Sequence, residues 1–238
     1  CPQECRPGIA SPSKKGYSIP MQHTALVTGA TRGIGREVAR QLHAAGFHLF
    51  VTGRNARDLE MLRQELDCPG APADLADPEA SPRLYAAASQ ALGPISVLVN
   101  NAGFNRAKTP LADVTATELD ESYAVNVRAP ILLAREALRD MGARRSGHIL
   151  NVISSIVYWR AENYSVYTTM KHALHGFTGC LIKEARPLGV KVTGVYPGGV
   201  NTSFRPTPRP DYLRPESAAQ MIVQCITAPD DVVVHELT

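Results

Sequence analysis

Between Thr24 and Gly46 the chain changes periodicity abruptly, and that change restricts its fold more than any other feature. Thr24–Thr28 is a short, β-rich apolar run. Thr28-Gly29-Ala30-Thr31-Arg32-Gly33-Ile34-Gly35 follows, and then a helical pattern to about Ala45 with Ile34, Val38 and Leu42 on one face and Gly46 as its stop. A strand that runs through glycines straight into an amphipathic helix opens a βαβ unit. Gly29 permits the turn, Gly33 lets backbone approach a pyrophosphate, and Gly35 allows close packing of helix on strand. The first N–H groups of the helix are then free to receive a phosphate.

The alternation continues. His48–Thr52 reads as a strand, and Leu59, Leu62 and Leu66 mark a helix. Gly70–Ala73 is a weak strand ending at Asp74, and Pro78 or Pro82 opens a helix closed by Gly93-Pro94. Ile95–Val99 is apolar and unpunctuated, as a central parallel strand should be. Helix signals run from about Asp113 to Met141, His148–Ile153 is a strand, and Ser165–Arg186 is a long helix. Val190–Tyr196 is a strand broken by Pro197-Gly198-Gly199, with a proline-rich loop from Phe204 to Pro215. A helix from Pro215 to about Thr227 and a last strand at Val232–Leu237 complete the pattern. Seven strands alternating with six helices predict an α/β fold, a parallel sheet doubly wound with helices on both faces. Residues 21–238 are expected to form one domain, with no internal repeat.

Composition excludes several classes. Hydrophobic residues make up 44% and charged residues 20% of the 238, enough for a large core. A net charge of +3 is too small to argue for nucleic acid, and the doublets Arg144-Arg145 and Lys14-Lys15 read as solvated surface. No apolar run approaches the roughly 18 residues of a membrane span. The five cysteines are odd in number and mostly far apart; Cys180 and Cys225 are expected as buried free thiols in a reducing, cytoplasmic compartment. His172 and His175 lack any metal-site spacing, so no metal is expected. Residues 1–20, rich in Pro, Ser, Lys and Gly, are expected to be a disordered tail or a start-site artefact ahead of Met21, and the C-terminus looks clipped.

The chemistry lies further along. Tyr167 and Lys171 stand at i and i+4, so on a helix an ammonium sits beside a phenol. Its field favours phenolate over phenol. A hydroxyl from Ser154 can hold a substrate oxygen next to that phenol. Asn100-Asn101-Ala102-Gly103 follows the most apolar strand, at the sheet edge where ligands bind in such folds, and its amides also suit a turn. Proton donor, carbonyl holder and dinucleotide cradle together describe a nicotinamide-dependent carbonyl reductase or alcohol dehydrogenase.

In order along the chain stand the glycine segment, Asp74, Asn100–Gly103, Asn126, Ser154, Tyr167, Lys171 and Pro197-Gly198-Gly199-Val200-Asn201-Thr202. From about Ala25 onward the chain resembles the short-chain dehydrogenase/reductase family, in its single-domain Rossmann-fold branch, and within it NADP-dependent carbonyl and 3-oxoacyl reductases. The resemblance implies Tyr167 as acid/base, Lys171 lowering its pKa and holding the nicotinamide ribose, Ser154 orienting the carbonyl, and Asn126 holding a relay water. It implies cofactor contacts from Gly29, Thr31, Arg32, Gly33, Ile34 and Gly35, from Asp74 on the adenine, and from Asn101 and Gly103 on the ribose side. Pro197, Gly198, Val200 and Thr202 would meet the carboxamide. It also implies a homodimer or homotetramer through the helices near 113–141 and 165–186.

Ser154 is preferred over Ser155, since counting from Gly147 and back from Tyr167 reaches the same residue, and a shift of one would turn the side chain to the other face. The position ending the second strand, where NAD enzymes carry an acid, resembles Gly53, followed by Arg54, with Arg32 in the glycine loop. Two guanidinium groups suit a 2′-phosphate, so NADP(H) is expected over NAD(H). Tyr158 and Trp159 fall in the loop that lines the family's substrate pocket, and Ser203–Leu213, with Arg205 and Arg209, should cover it. The substrate is expected to be a small carbonyl or alcohol. The rival is a non-catalytic NADP(H)-sensing or protein-binding module on the same fold.

Overall fold

A computed structural model describes residues 23–105, 108–204, 207 and 209–238. The expected tail at 1–20 and Arg205 lie outside the described residues. Seven strands form one sheet in the order β3-β2-β1-β4-β5-β6-β7, and every pairing is parallel. They are β1 (Thr24–Val27), β2 (His48–Gly53), β3 (Gly70–Pro72), β4 (Val97–Asn100), β5 (Gly147–Val152), β6 (Val190–Val195) and β7 (Glu236–Leu237).

Strand alternation divides the core in two. Ala25, Val27, Val97, Val99 and Leu150 face one side, where Val38 and Leu42 of α1 (Gly33–Ala44), Leu59 and Leu62 of α2 (Ala56–Leu66) and Ile222 of α7 (Pro215–Ile226) cover them. Leu26, Leu98, Ile149 and Val192 face the other, under Leu84 of α3 (Ala80–Leu92), Leu133 and Met141 of α5 (Ala129–Arg144) and Leu181 of α6 (Ser165–Ala185). Both faces are thus buried, which is why the inner strands are apolar throughout. The chain leaves β1 toward β2 and β3, then returns to place β4 on the other flank of β1, so the carboxyl ends of β1 and β4 border the crevice where such sheets bind ligands.

Four expectations need correction. The helix expected from 113 to 141 is a 3₁₀ turn at Leu111–Asp113, then α4 (Ala116–Tyr123), a π-helical turn at Ala124–Arg128, and α5. The Ala129 N–H reaches back to Ala124, and Pro130 has no N–H to give the Asn126 carbonyl its i+4 partner. Neither Pro78 nor Pro82 opens α3; it starts at Ala80, with Pro82 inside its first turn. The last strand has only two residues, and Val232 and Val233 ahead of it are exposed. Cys180 is exposed, because the buried stripe of α6 is Met170, Lys171, Leu174, Thr178, Leu181 and Ala185. Cys225 is buried.

Candidate active site

The crevice opens into a cavity of about 900 Å³ at the carboxyl ends of the strands. Its first wall is the glycine turn. Gly29 and Gly33 have φ of +62° and +56°, conformations that a side chain disfavours. Gly35 is excluded from carrying one by contact: a Cβ there would lie 2.3 Å from both the Asn101 amide nitrogen and the Gly29 carbonyl. Asn101 completes this joint by donating its amide to the carbonyls of Thr28 (2.9 Å) and Gly29 (3.1 Å). The buried Thr28 hydroxyl accepts from the N–H groups of Asn101 and Ala102, each at 3.0 Å, so the ends of β1 and β4 are locked together.

The π turn places Asn126. Its amide donates to the carbonyls of Phe104 and Ser122, both at 3.0 Å, and its oxygen accepts from the Phe104 N–H at 3.3 Å. This side chain therefore clamps the segment after Asn101 and does not border the cavity. Gly103 fits between Asn126 and Lys171, since a Cβ there would approach them at 2.9 and 3.6 Å. Behind it, a buried polar chain joins the layers: Asn100 donates to Pro130 and to Asn151, Asn151 to Thr178, and Thr178 to the Leu174 carbonyl. It ties β4 and β5 to α6, the helix that carries Tyr167 and Lys171.

Lys171 is buried, and its ammonium donates to the Val152 carbonyl at 3.0 Å and lies 5.7 Å from the centre of the Tyr167 ring. Burial lowers its pKa to about 8, which leaves it cationic at neutral pH. Tyr167, Lys171 and Ser154 all border the cavity. So does Ser155, because β5 has ended at Val152 and the backbone coils into a 3₁₀ turn at Ser155–Val157; strand alternation no longer separates the two serines. Their partners differ. Ser154 Oγ accepts from the Ile156 N–H at 3.2 Å, which leaves its proton for an oxygen in the cavity, while Ser155 Oγ accepts from the Trp159 indole at 3.2 Å.

Thr31, Arg32, Gly33 and Ile34 border the opposite end, with Gly53, Arg54, Asn55 and Asp58. Arg32 and Arg54 are exposed and form no ion pair among the described residues. A Cβ on Gly53 would fall 2.4 Å from the Thr31 methyl, so the end of β2 has no room for an acid. Asp58, in the first turn of α2, was missed by the sequence reading, although the Asn55 cap that starts α2 was available to locate it. Asp74 stands off the cavity wall, its carboxylate accepting from the Ala76 N–H at 3.0 Å; its neighbours Ala73 and Leu75 border the cavity instead.

Pro197, Gly198, Val200 and Thr202 line the wall facing the glycine turn. The Pro197 carbonyl accepts from the Ser155 N–H at 3.0 Å, and reciprocal bonds between Gly199 or Asn201 and Leu213 tie the base of the covering loop. Trp159 borders the cavity, whereas Tyr158 turns away, packs on Tyr196 and donates to Glu236. Phe104 and Lys108 also border it and were not anticipated, while Tyr164 and Phe204 border it from the two segments expected to line and cover the pocket. His172 and His175 are engaged by the Thr168 carbonyl and the Tyr196 hydroxyl, each at 2.9 Å.

Known proteins share this fold. The profile of a family described as short chain dehydrogenase matches residues 23–212. An uncharacterized oxidoreductase of Staphylococcus aureus (strain USA300) is 32% identical over 221 residues, 90% of this chain and 95% of that one. A metagenomic short-chain oxidoreductase solved in complex with NADP superposes with a TM-score of 0.82 at 29% identity, over 91% of this chain and 95% of its own. A short chain dehydrogenase of Burkholderia cenocepacia J2315, also in complex with NADP, gives 0.82 at 28% identity, over 90% and 94%. With match, relatives and parallel sheet in agreement, this chain belongs to the short chain dehydrogenase family of oxidoreductases.

Proposed function

We propose that the protein is an NADP(H)-dependent carbonyl reductase, or alcohol dehydrogenase in reverse, with Tyr167 as its general acid/base. The observation that carries this reading is that Tyr167, Lys171 and Ser154 border the same cavity as the glycine turn, Arg32 and Arg54. A dinucleotide fits the residues present: glycines that admit close backbone approach, an α1 start whose Arg32 cap makes no side-chain hydrogen bond, and open space beside Gly198. The cofactor supplies or accepts the hydride. Ser154 donates its remaining proton to the substrate oxygen and holds it beside Tyr167. Tyr167 gives that oxygen a proton in reduction and takes it back in oxidation. Lys171 stabilises the phenolate between these events, and Gly103 leaves it room to meet a ribose hydroxyl.

The choice of NADP(H) rests on Gly53, where Thr31 leaves no space for an acid, and on the two guanidinium groups at that end. The NADP held by the metagenomic and Burkholderia proteins supports the same choice. The reading extends to a cytoplasmic homodimer or homotetramer. Exposed Leu119 and Tyr123 on α4, and open surface at Gly176 and Gly179 on α6, are the faces available for it.

The test is NADPH and NADH consumption by the purified chain with a panel of ketones, aldehydes, quinones and acyl-thioesters. Carbonyl-dependent oxidation of NADPH is expected, faster than that of NADH. Tight NADPH binding with no turnover across the panel would instead favour the non-catalytic module.

A further inference from the structure

The reactive end of the cavity differs from the cofactor end in what lines it. Four aromatic side chains surround the opening beside Tyr167: Phe104, Trp159, Tyr164 and Phe204. Their supports are local. The Phe104 backbone is gripped on both sides by Asn126, the Trp159 indole is tethered to Ser155, the Tyr164 carbonyl at the start of α6 accepts from the Thr168 N–H at 2.8 Å, and the Phe204 N–H rests on Thr202 Oγ1 at 3.3 Å. Phe204 lies 6.0 Å from the Tyr167 ring, tilted by 55°. Trp159 remains about half exposed although its indole N–H is tethered, so its ring presents a fixed apolar face.

The charges at this end are one-sided. Lys108, Lys171 and Arg209 border it, and the only acid on the cavity wall among the described residues, Asp58, stands at the far end beside Arg54. Arg209 is paired with Asp211 at 2.9 Å and stacked on Tyr212, and Lys171 is buried against Val152. Lys108 has no carboxylate partner among the described residues; its ammonium rests 5.5 Å from the centre of the Tyr164 ring. The nearby Glu118 accepts from the Thr109 hydroxyl and lines a small recess that shares Asn105, Tyr164 and Tyr167 with the cavity, but it does not border the cavity itself. The backbone next to Lys108 is fixed by the Thr109 N–H, which donates to the Asn163 carbonyl at 3.1 Å. Tyr164, just before α6, and Tyr167, in its first turn, together line one small recess. The ring that seats the Lys108 ammonium is thus adjacent to the proton donor.

From this we propose that the reactive end accepts a flat aromatic carbonyl compound bearing an anionic group, with the rings stacking on its plane and Lys108 pairing with the anion. The proposal rests on the carbonyl-reductase reading and adds its substrate class. An aromatic ring suits four aromatic walls, and an anion suits a cation that pairs with no carboxylate among the described residues.

Two ketones of the same shape test it: 4-acetylbenzoate, which carries a carboxylate, and 4-acetylbenzamide, which does not. The expected result with NADPH is a kcat/KM at least tenfold higher for the benzoate, in keeping with one charge-assisted hydrogen bond. Lys108→Gln should bring that ratio close to one, and Lys108→Arg should retain most of it. Equal kcat/KM for the two in the wild-type protein, or an undiminished ratio in Lys108→Gln, overturns the assignment while leaving carbonyl reduction intact. Turnover of other ketones in the wider panel with neither of these accepted also overturns it. Failure of the underlying reading shows itself separately, as no turnover of any carbonyl.

Discussion

The Lys171 ammonium lies 5.7 Å from the centre of the Tyr167 ring with the Val152 carbonyl as its hydrogen-bond acceptor. Burial without an opposing carboxylate disfavours the charged form and lowers its pKa from 10.5 to about 8. The fold therefore bears a cost to keep a cation beside this phenol. A buried cation that costs stability is one expected to act on a ligand or on its neighbour.

That cost has a measurable sign. Below about pH 8 both folded and unfolded Lys171 are protonated, and the folded state carries the full penalty; between about 8 and 10.5 the penalty disappears as the folded lysine loses its proton first. Lys171→Met should then stabilise the cofactor-free protein at pH 7 by about 1–3 kcal/mol, the Val152 carbonyl losing its donor. The gain should shrink toward pH 10. Urea unfolding of both proteins at the two pH values checks it; a less stable variant at pH 7 contradicts it.

His148 predicts the opposite flank. It is buried in β5, and desolvation lowers its pKa from 6.5 to about 3. Thr193 Oγ1 donates to the Val234 carbonyl, so it accepts from His148 Nε2 at 2.8 Å, and the neutral ring carries its proton there. Stability tied to this neutral ring is complete above about pH 6.5 and falls as the pH drops toward 3. At pH 4.5 the loss from this residue should be about 2–3 kcal/mol. His148→Gln, which keeps a donor for Thr193, should lose less stability between pH 7 and 4.5 than the wild type does.

Cofactor discrimination should lie at the end of β2. Arg54→Ala should weaken NADPH by about 1.5–3 kcal/mol and NADH far less, because the lost contact is to the 2′-phosphate. Asp58→Asn should strengthen NADPH modestly by removing an acid from that end. Dissociation constants from nucleotide fluorescence report both, and equal weakening of the two cofactors by Arg54→Ala would remove the guanidinium from this role.

The serines separate by partner. Ser154→Ala should remove most of kcat while NADPH still binds, since the missing bond is to the reacting oxygen. Ser155→Ala should leave most of kcat and raise KM for aromatic ketones, because it releases the Trp159 indole. Steady-state kinetics of the two variants on one ketone check this, and reversed results would assign the carbonyl to Ser155.

The elements from Thr24 to Leu66 were legible because glycine spacing and helical periodicity there are local properties. The π turn was not: a run of helix formers masks it, and its visible sign is Pro130, four residues beyond Asn126. The last strand was overread, since Val232 and Val233 have β-propensity but are exposed, and pairing with β6 begins only at Glu236. At the site, Tyr167, Lys171 and Ser154 could be named from spacing. Lys108 and Tyr164 could not, because what joins them is the tertiary contact of Thr109 with Asn163. Asn126 was placed at the site, but its side chain serves as a clamp on Phe104.

Tyr167 is proposed to move the proton, and phenylalanine at that position keeps the ring while removing the hydroxyl. The most direct measurement is kcat/KM with NADPH and a reducible ketone for wild type and Tyr167→Phe, alongside the NADPH dissociation constant of each. A fall of about 10²–10⁴-fold or more is expected, with the dissociation constant changed by less than about threefold. Activity within about tenfold of wild type, with the nucleotide bound equally well, would contradict it.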